Sequence, residues 1–183
     1  MTQRGRLVLG LTLAMPMVFG ALSPARAGAP SDQLRGHIDR VIKVLDDPEL
    51  KREGKAHDRR VAVRKIADEI FDFVETAKRS LGRHWAARSA EEQQEFTGLF
   101  ADLLERSYLS KIELYGGEKI AFTGDAVDGD QATVRTKILT KSGTEVPIDY
   151  RMLRKSDKWV VYDVIIEGVS LISNYRTQFN KII

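Results

Sequence analysis

At Tyr115-Gly116-Gly117-Glu118 the spacing of apolar residues changes, and no other feature constrains the fold as strongly. Upstream, apolar residues recur at helical intervals. Downstream they alternate, as they do along half-buried strands. Helices first and strands second, without interleaving, predict an α+β fold rather than a parallel α/β sheet.

The helical half carries three stripes. Leu34, Ile38, Val41, Ile42 and Leu45 form the first, which "DDPE" ends at Pro48. "KREGKAHDRR" reads as a solvated loop or helix start. Val63, Ile66, Ile70, Phe73, Val74, Ala77 and Leu81 form the second, with Gly82 as its C-cap. Before the third, Ser89 and Glu92 in "SAEE" make a capping box. Phe96, Leu99, Phe100, Leu103, Leu104 and Tyr108 then spread over a broad face that must be buried against something large.

In the second half, "KIAFTGDAV", "QATVRTKILTK", "TEVPIDYRML" and "KWVVYDVIIE" read as strands. Turn signals at Asp128-Gly129, Ser142-Gly143 and Ser156-Asp157 join them as antiparallel hairpins. Val134, Thr136 and Ile138 alternate with Arg135, Lys137 and Leu139. Val146, Ile148, Tyr150 and Met152 alternate with Pro147, Asp149, Arg151 and Leu153. One apolar face and one mixed face call for helices on one side only. Pro147 lacks an N–H for the ladder and predicts an edge or a bulge. A last helix follows Ser170, its N-cap, with Leu171, Ile172, Tyr175, Phe179 and Ile182 in one stripe. The expected fold is a curved antiparallel sheet with helices packed across its concave face.

The first residues read differently. "MTQRGR" is basic, "LVLGLTLAMPMVFGAL" is apolar and "SPARA" ends in small residues, the pattern of a secretory signal peptide over 1–27. An N-terminal membrane anchor is the alternative. Loss of that leader takes Arg4, Arg6 and Arg26 and leaves 26 basic against 26 acidic side chains. The mature chain is then neutral, and net charge gives no support to nucleic-acid binding. With no cysteine, the exported domain of residues 28–183 must be held by its core alone. A domain of about 150 residues buries about 70% of its unfolded surface, which suffices.

Signals for catalysis or metal binding are weak. His37, His57 and His84 have no metal-ligand spacing. Gly168-Val169-Ser170 lacks the second glycine of a nucleophile elbow, since Ile172 stands there. Asp149, Asp163 and Glu167 could supply paired carboxylates for acid–base work, or could pair with Arg151, Arg154 or backbone groups. Tyr115-Gly116-Gly117 and Asp128-Gly129-Asp130 make good turns and are too short to mark phosphate or calcium sites. No catalytic residue, metal ligand or cofactor is assigned. Apolar content is what stands out, but composition does not separate an ordinary core from a cavity.

The stretch "SLGRHWAARSAEEQQEFTGLFADLLERSYLSKIELYGGEKI", followed by "VPIDYRM" and "WVVYDVIIEGVSLISNYRTQF", resembles the MlaC-type periplasmic phospholipid-binding proteins, also called toluene-tolerance auxiliary proteins. The resemblance runs from about Leu34 to Ile183. It implies a nuclear-transport-factor-like fold enclosing an apolar pocket for phospholipid acyl chains. It also implies a shuttle in the periplasm of a Gram-negative host. The partners would be an outer-membrane lipoprotein complex and an inner-membrane ABC transporter with its MCE-domain subunit. Related members are associated with hopanoids, so the lipid class stays open, and an enzyme on the same scaffold using Asp149 and Asp163 is the other alternative. On face and family together, the expected lining is Phe96, Leu99, Phe100 and Leu103 from the capped helix. The sheet adds Ile138, Ile148, Tyr150, Met152, Val164 and Ile166, and Val169 and Leu171 stand at the joint. Tyr108, Tyr115 and Arg151 are weaker candidates near a head group.

Overall fold

The computed structural model describes residues 29–183, so the proposed leader lies outside the described residues. Five α-helices and five strands follow one another as α1 (Ala29–Asp46), α2 (Ala56–Ile70), α3 (Phe73–Leu81), α4 (Ala90–Glu113), β1 (Lys119–Asp128), β2 (Gln131–Leu139), β3 (Glu145–Lys155), β4 (Lys158–Ile166), β5 (Val169–Ser170) and α5 (Leu171–Ile182). A short 3-10 segment, Gly82–Ala87, joins α3 to α4. The strands form one antiparallel sheet in sequence order, β1 to β5. Register shifts at Phe122/Gly124 and at Arg151/Met152 bend the strands. The α+β fold with helices against one face is the expected one.

Local chemistry sets the helix ends. Ser89 accepts from the Glu92 N–H while the Glu92 carboxylate accepts from the Ser89 N–H, a closed capping box. We expect Ser89→Ala to cost about 1 kcal/mol in chemical denaturation. A change near zero would mean that packing alone holds this end of α4. Gly82, at φ 58, caps α3, and the Arg176 guanidinium from α5 donates to the Arg79 carbonyl there at 2.9 Å.

Two expectations need correction. The apolar stripe from Val63 to Leu81 is not one helix, because it breaks at Phe71-Asp72 into α2 and α3. Sheet contacts win over helix propensity here. Phe71 bridges to Val161, the Asp72 N–H donates to the Val161 carbonyl, and the Thr76 hydroxyl donates to the Tyr162 carbonyl. The Asp72 carboxylate then accepts from the Glu75 N–H and caps α3.

Pro147, expected at an edge or bulge, lies in β3, the middle strand, away from both register shifts. A strand residue points its N–H and C=O toward the same neighbour. The Pro147 carbonyl accepts from the Glu167 N–H, so its ring nitrogen faces that side too. Paired residues between β3 and β4 end one step earlier, at Ile148 opposite Ile166. The proline therefore stands where the β3–β4 ladder ends and removes only the second bond of the Pro147–Glu167 pair.

The main core sits between α1, α2 and one half of the sheet. Leu34, Ile66 and Ile70 pack on Ala132, Val134, Met152, Trp159 and Val161.

Candidate functional site: an apolar sheet face that is only half covered

Directly opposed residues in an antiparallel pair share a face, so the register sorts the inner face of the sheet into rows. Ala132, Met152 and Val161 form one row. Val134, Tyr150 and Val164 form the next. Thr136, Ile148, Ile166 and Val169 form a third, with Phe122 on β1. Ile120, Ile138 and Val146 form the last. Burial falls along this series except at Thr136, which is buried. Ala132, Met152, Val161 and Val134 are buried, Tyr150 and Val164 are half-buried, and so are Ile148, Ile166, Ile120, Ile138 and Val146. Val169 is 58% exposed. The packed core includes the first two rows and Phe122 but not Ile120, Ile138, Val146, Ile148 or Ile166. Half of a continuous apolar face therefore keeps accessible surface.

Tyr150 stands at the boundary. Protein surrounds it closely enough for burial to push its phenol up to about 12, with the Thr136 hydroxyl pulling weakly the other way. The residue as a whole is half-buried.

The other expected lining residues divide. Met152 is sealed in the core. Ile138, Ile148, Val164 and Ile166 fall on the inner face as expected. On α4, Phe96 and Phe100 are engaged with α5: Phe100 meets Tyr175 edge-on at 5.1 Å and Phe96 meets Phe179 at 5.4 Å. The backbone of α4 approaches α3 closely and no strand comparably. Leu99 and Leu103 keep 63% and 40% of their surface. Leu171 is half-buried, whereas its neighbour Ile172 is the buried residue at the joint. Ile120, Phe122 and Val146 belong to the same face but were not among the expected lining. Val146 follows from its alternation with Pro147, whereas Ile120 and Phe122 depend on the β1 register.

Of the head-group candidates, Arg151 lies on the face opposite Tyr150 and Met152, paired with Asp163 at 3.2 Å. Tyr115 donates to the Glu118 carbonyl. Burial, followed by the neighbouring Tyr175, raises the Tyr108 phenol.

Of the candidate carboxylates, Asp163 is fully engaged, whereas Asp149 is half-buried on the outer face of β3. Asp163 is 2% exposed. Its Oδ1 accepts from the Ile172 N–H, and its Oδ2 accepts from the Ser170 hydroxyl and the Arg151 guanidinium. The Ser170 oxygen caps α5 by accepting from the Ser173 N–H. Glu167 is exposed, and it and Gly168 adopt φ 50 and φ 82, the two left-handed residues of a tight hairpin turn. Among the described residues, no cluster of acidic and histidine side chains could hold a metal ion.

A separate groove of about 200 Å³ runs between the 3-10 segment, α4 and α5, lined by Leu81, His84, Arg88, Glu92, Phe96, Phe179 and Ile183. It is smaller than the roughly 300–1,000 Å³ of typical ligand pockets and includes no sheet residue.

A family profile described as "MlaC protein" matches residues 35–183. The intermembrane phospholipid transport system binding protein MlaC of Haemophilus influenzae is 29% identical over 117 residues, 60% of this chain and 55% of that protein. The toluene tolerance protein ttg2D of Pseudomonas putida is 24% identical over 179 residues, 97% of this chain and 80% of that protein. Among solved structures, the phospholipid-binding protein from Ralstonia solanacearum in complex with a phospholipid aligns with a TM-score of 0.74 at 27% identity. That alignment covers 84% of this chain and 86% of that one.

Proposed function

This chain belongs to the MlaC family, and from that premise we propose that it is a phospholipid carrier that shields acyl chains against the half-covered face of its sheet. The observation that carries the reading is the run of Ile120, Ile138, Val146, Ile148 and Ile166 on one face, half-buried and outside the packed core. Support from outside the chain comes from the transport and phospholipid-binding names of its relatives and from the phospholipid held by the Ralstonia protein.

The energetics explain why such a face is needed. Two acyl chains carry about thirty methylenes, and at about 0.8 kcal/mol each their exposure to water costs on the order of 20 kcal/mol. A carrier must cover nearly all of that surface. Release into water is equally costly, so loading and unloading must take place against another apolar site. On this reading the protein docks on protein partners in the periplasm, namely an outer-membrane lipoprotein complex and an inner-membrane ABC transporter with an MCE-domain subunit. The leader over 1–27 would deliver it there. No helix among the described residues is long and apolar enough to cross a membrane. The proposal includes no chemical step, and the complete engagement of Asp163 in hydrogen bonds speaks against a catalytic role for it.

Native mass spectrometry of protein purified without detergent tests the carrier reading. A mass increment equal to a diacyl phospholipid is expected, lost on organic extraction and regained from vesicles. Protein that emerges lipid-free and takes up none from vesicles or membrane extracts would exclude it.

A further inference from the structure

β1 is the free edge of the sheet. On it Ile120 and Phe122 point to the inner face, opposite Ile138 and Thr136. The Arg35 guanidinium of α1 lies 4.0 Å from the centre of the Phe122 ring. Leu34, its neighbour in sequence, is sealed in the core, whereas Arg35 is exposed. Arg35 therefore stands on the line where the cover given by α1 ends and the accessible part of the face begins.

Among the described residues, Arg35 makes no ion pair and no side-chain hydrogen bond, although Asp32 and Asp39 lie one turn to either side on α1. Its counterparts are all occupied. Arg40, the other arginine of α1, holds Glu69. Of the other arginines stacked on aromatic rings, Arg64 holds Asp68, Arg79 holds Glu75 and Arg154 holds Asp130. A guanidinium packed on a ring still presents N–H groups in a rigid fork, which matches two oxygens of a phosphate. Holding the side chain in place beforehand lowers the entropy lost when the anion arrives.

Acyl chains laid over Ile120, Ile138, Val146, Ile148 and Ile166 must meet their glycerol where the apolar surface ends. The β1 edge is one such end. At the opposite end of the third row, Val169 follows the exposed carboxylate of Glu167, which repels a phosphate. Arg151, the arginine expected near a head group, is on the outer face and held by Asp163. Resting on the carrier reading above, we infer that the Arg35 guanidinium binds the phosphate of the bound glycerophospholipid at the β1 edge. The site thereby selects lipids that carry a phosphate over neutral diacylglycerols with the same chains, and it is indifferent to the alcohol beyond the phosphate.

The test compares dioctanoyl phosphatidylglycerol with dioctanoylglycerol, by calorimetry, on the wild type, Arg35→Gln and Arg35→Lys. Charge-assisted hydrogen bonds are the strong ones, but exposure to solvent weakens them, so a preference of about three- to tenfold for the phosphate-bearing lipid is expected. It should shrink as salt is raised. Arg35→Gln should abolish the preference while binding dioctanoylglycerol as the wild type does, and Arg35→Lys should keep part of it. Thermal melting checks that the variants are folded, and the wild-type comparison decides the matter even if they are not. Equal affinity of the wild type for both lipids overturns the inference and leaves the carrier reading standing. So does an Arg35→Gln variant that keeps the preference or weakens both lipids alike. Inorganic phosphate that binds the wild type as tightly as the phospholipid also overturns it, since the site would then serve a free anion. A wild type that takes up neither lipid overturns the carrier reading and this inference with it.

Discussion

Ile148→Trp is expected to empty the protein of lipid while leaving it folded. Ile148 lies in the third row of the inner face, half-buried and outside the packed core. A larger side chain at a packed position strains its neighbours by about 1–3 kcal/mol. At a position bordering free space, it fills that space instead. The indole would then occupy volume needed by the acyl chains. Displacing even two methylenes costs about 1.6 kcal/mol, or about tenfold or more in affinity. Met152→Trp is the contrasting case, since Met152 has no accessible surface and sits in the row packed under α1 and α2. It should lower stability by about 1–3 kcal/mol. Lipid occupancy by mass spectrometry and denaturation midpoints separate the two outcomes. Undiminished lipid binding by Ile148→Trp would remove the third row from the pocket.

Asp163→Ala is expected to be among the most destabilising single substitutions in the chain, at about 3 kcal/mol. Its carboxylate gathers the Ile172 N–H, the Ser170 hydroxyl and the Arg151 guanidinium. Hydrogen bonds to charged groups contribute about 1.5–3 kcal/mol each, though not additively. Arg151 is 44% exposed and can return to water, which holds the loss below the sum. The Ile172 N–H is buried and has no such escape. Asp163→Asn keeps an acceptor for it and should cost about half as much. For a domain of this size each kcal/mol shifts Tm by roughly 2–4 °C, so Asp163→Ala should melt roughly 6–12 °C lower. A loss of less than about 1 kcal/mol in urea denaturation would show that Asp163 does not anchor α5 and would reopen its catalytic reading.

Both predictions bear on what can be read from the chain alone. Ser89, Gly82 and Ser170 were legible as caps because a cap is satisfied within a few residues of itself. The Glu167-Gly168 turn was legible in part: glycine announced a sharp reversal, but the left-handed glutamate beside it did not. The break at Phe71-Asp72 was hidden, because the apolar stripe runs through it almost in phase. Its cause is a set of bonds to Val161 and Tyr162, some ninety residues away. Asp163 looked like a possible acid because nothing local states what its oxygens bind.

The candidate site follows the same division. Alternation put Ile148, Tyr150 and Met152 on one face of their strand, since successive strand residues point to opposite sides, and the family resemblance joined Ile138, Val164 and Ile166 to them. Alternation has no information about depth along the strand, so Met152 and Ile148 looked equivalent. Likewise, the broad stripe on α4 could not announce that Phe96 and Phe100 would be taken up by α5.

The sequence by itself determined the order of helices and strands, the caps that bound several of them and, within each regular stretch of strand, which residues share a face. These depend on interactions within a few residues. Only the tertiary structure decided which rows of the apolar face are sealed and which stay accessible. That depends on where α1 and α2 come to rest on the sheet, through contacts between residues far apart in the chain.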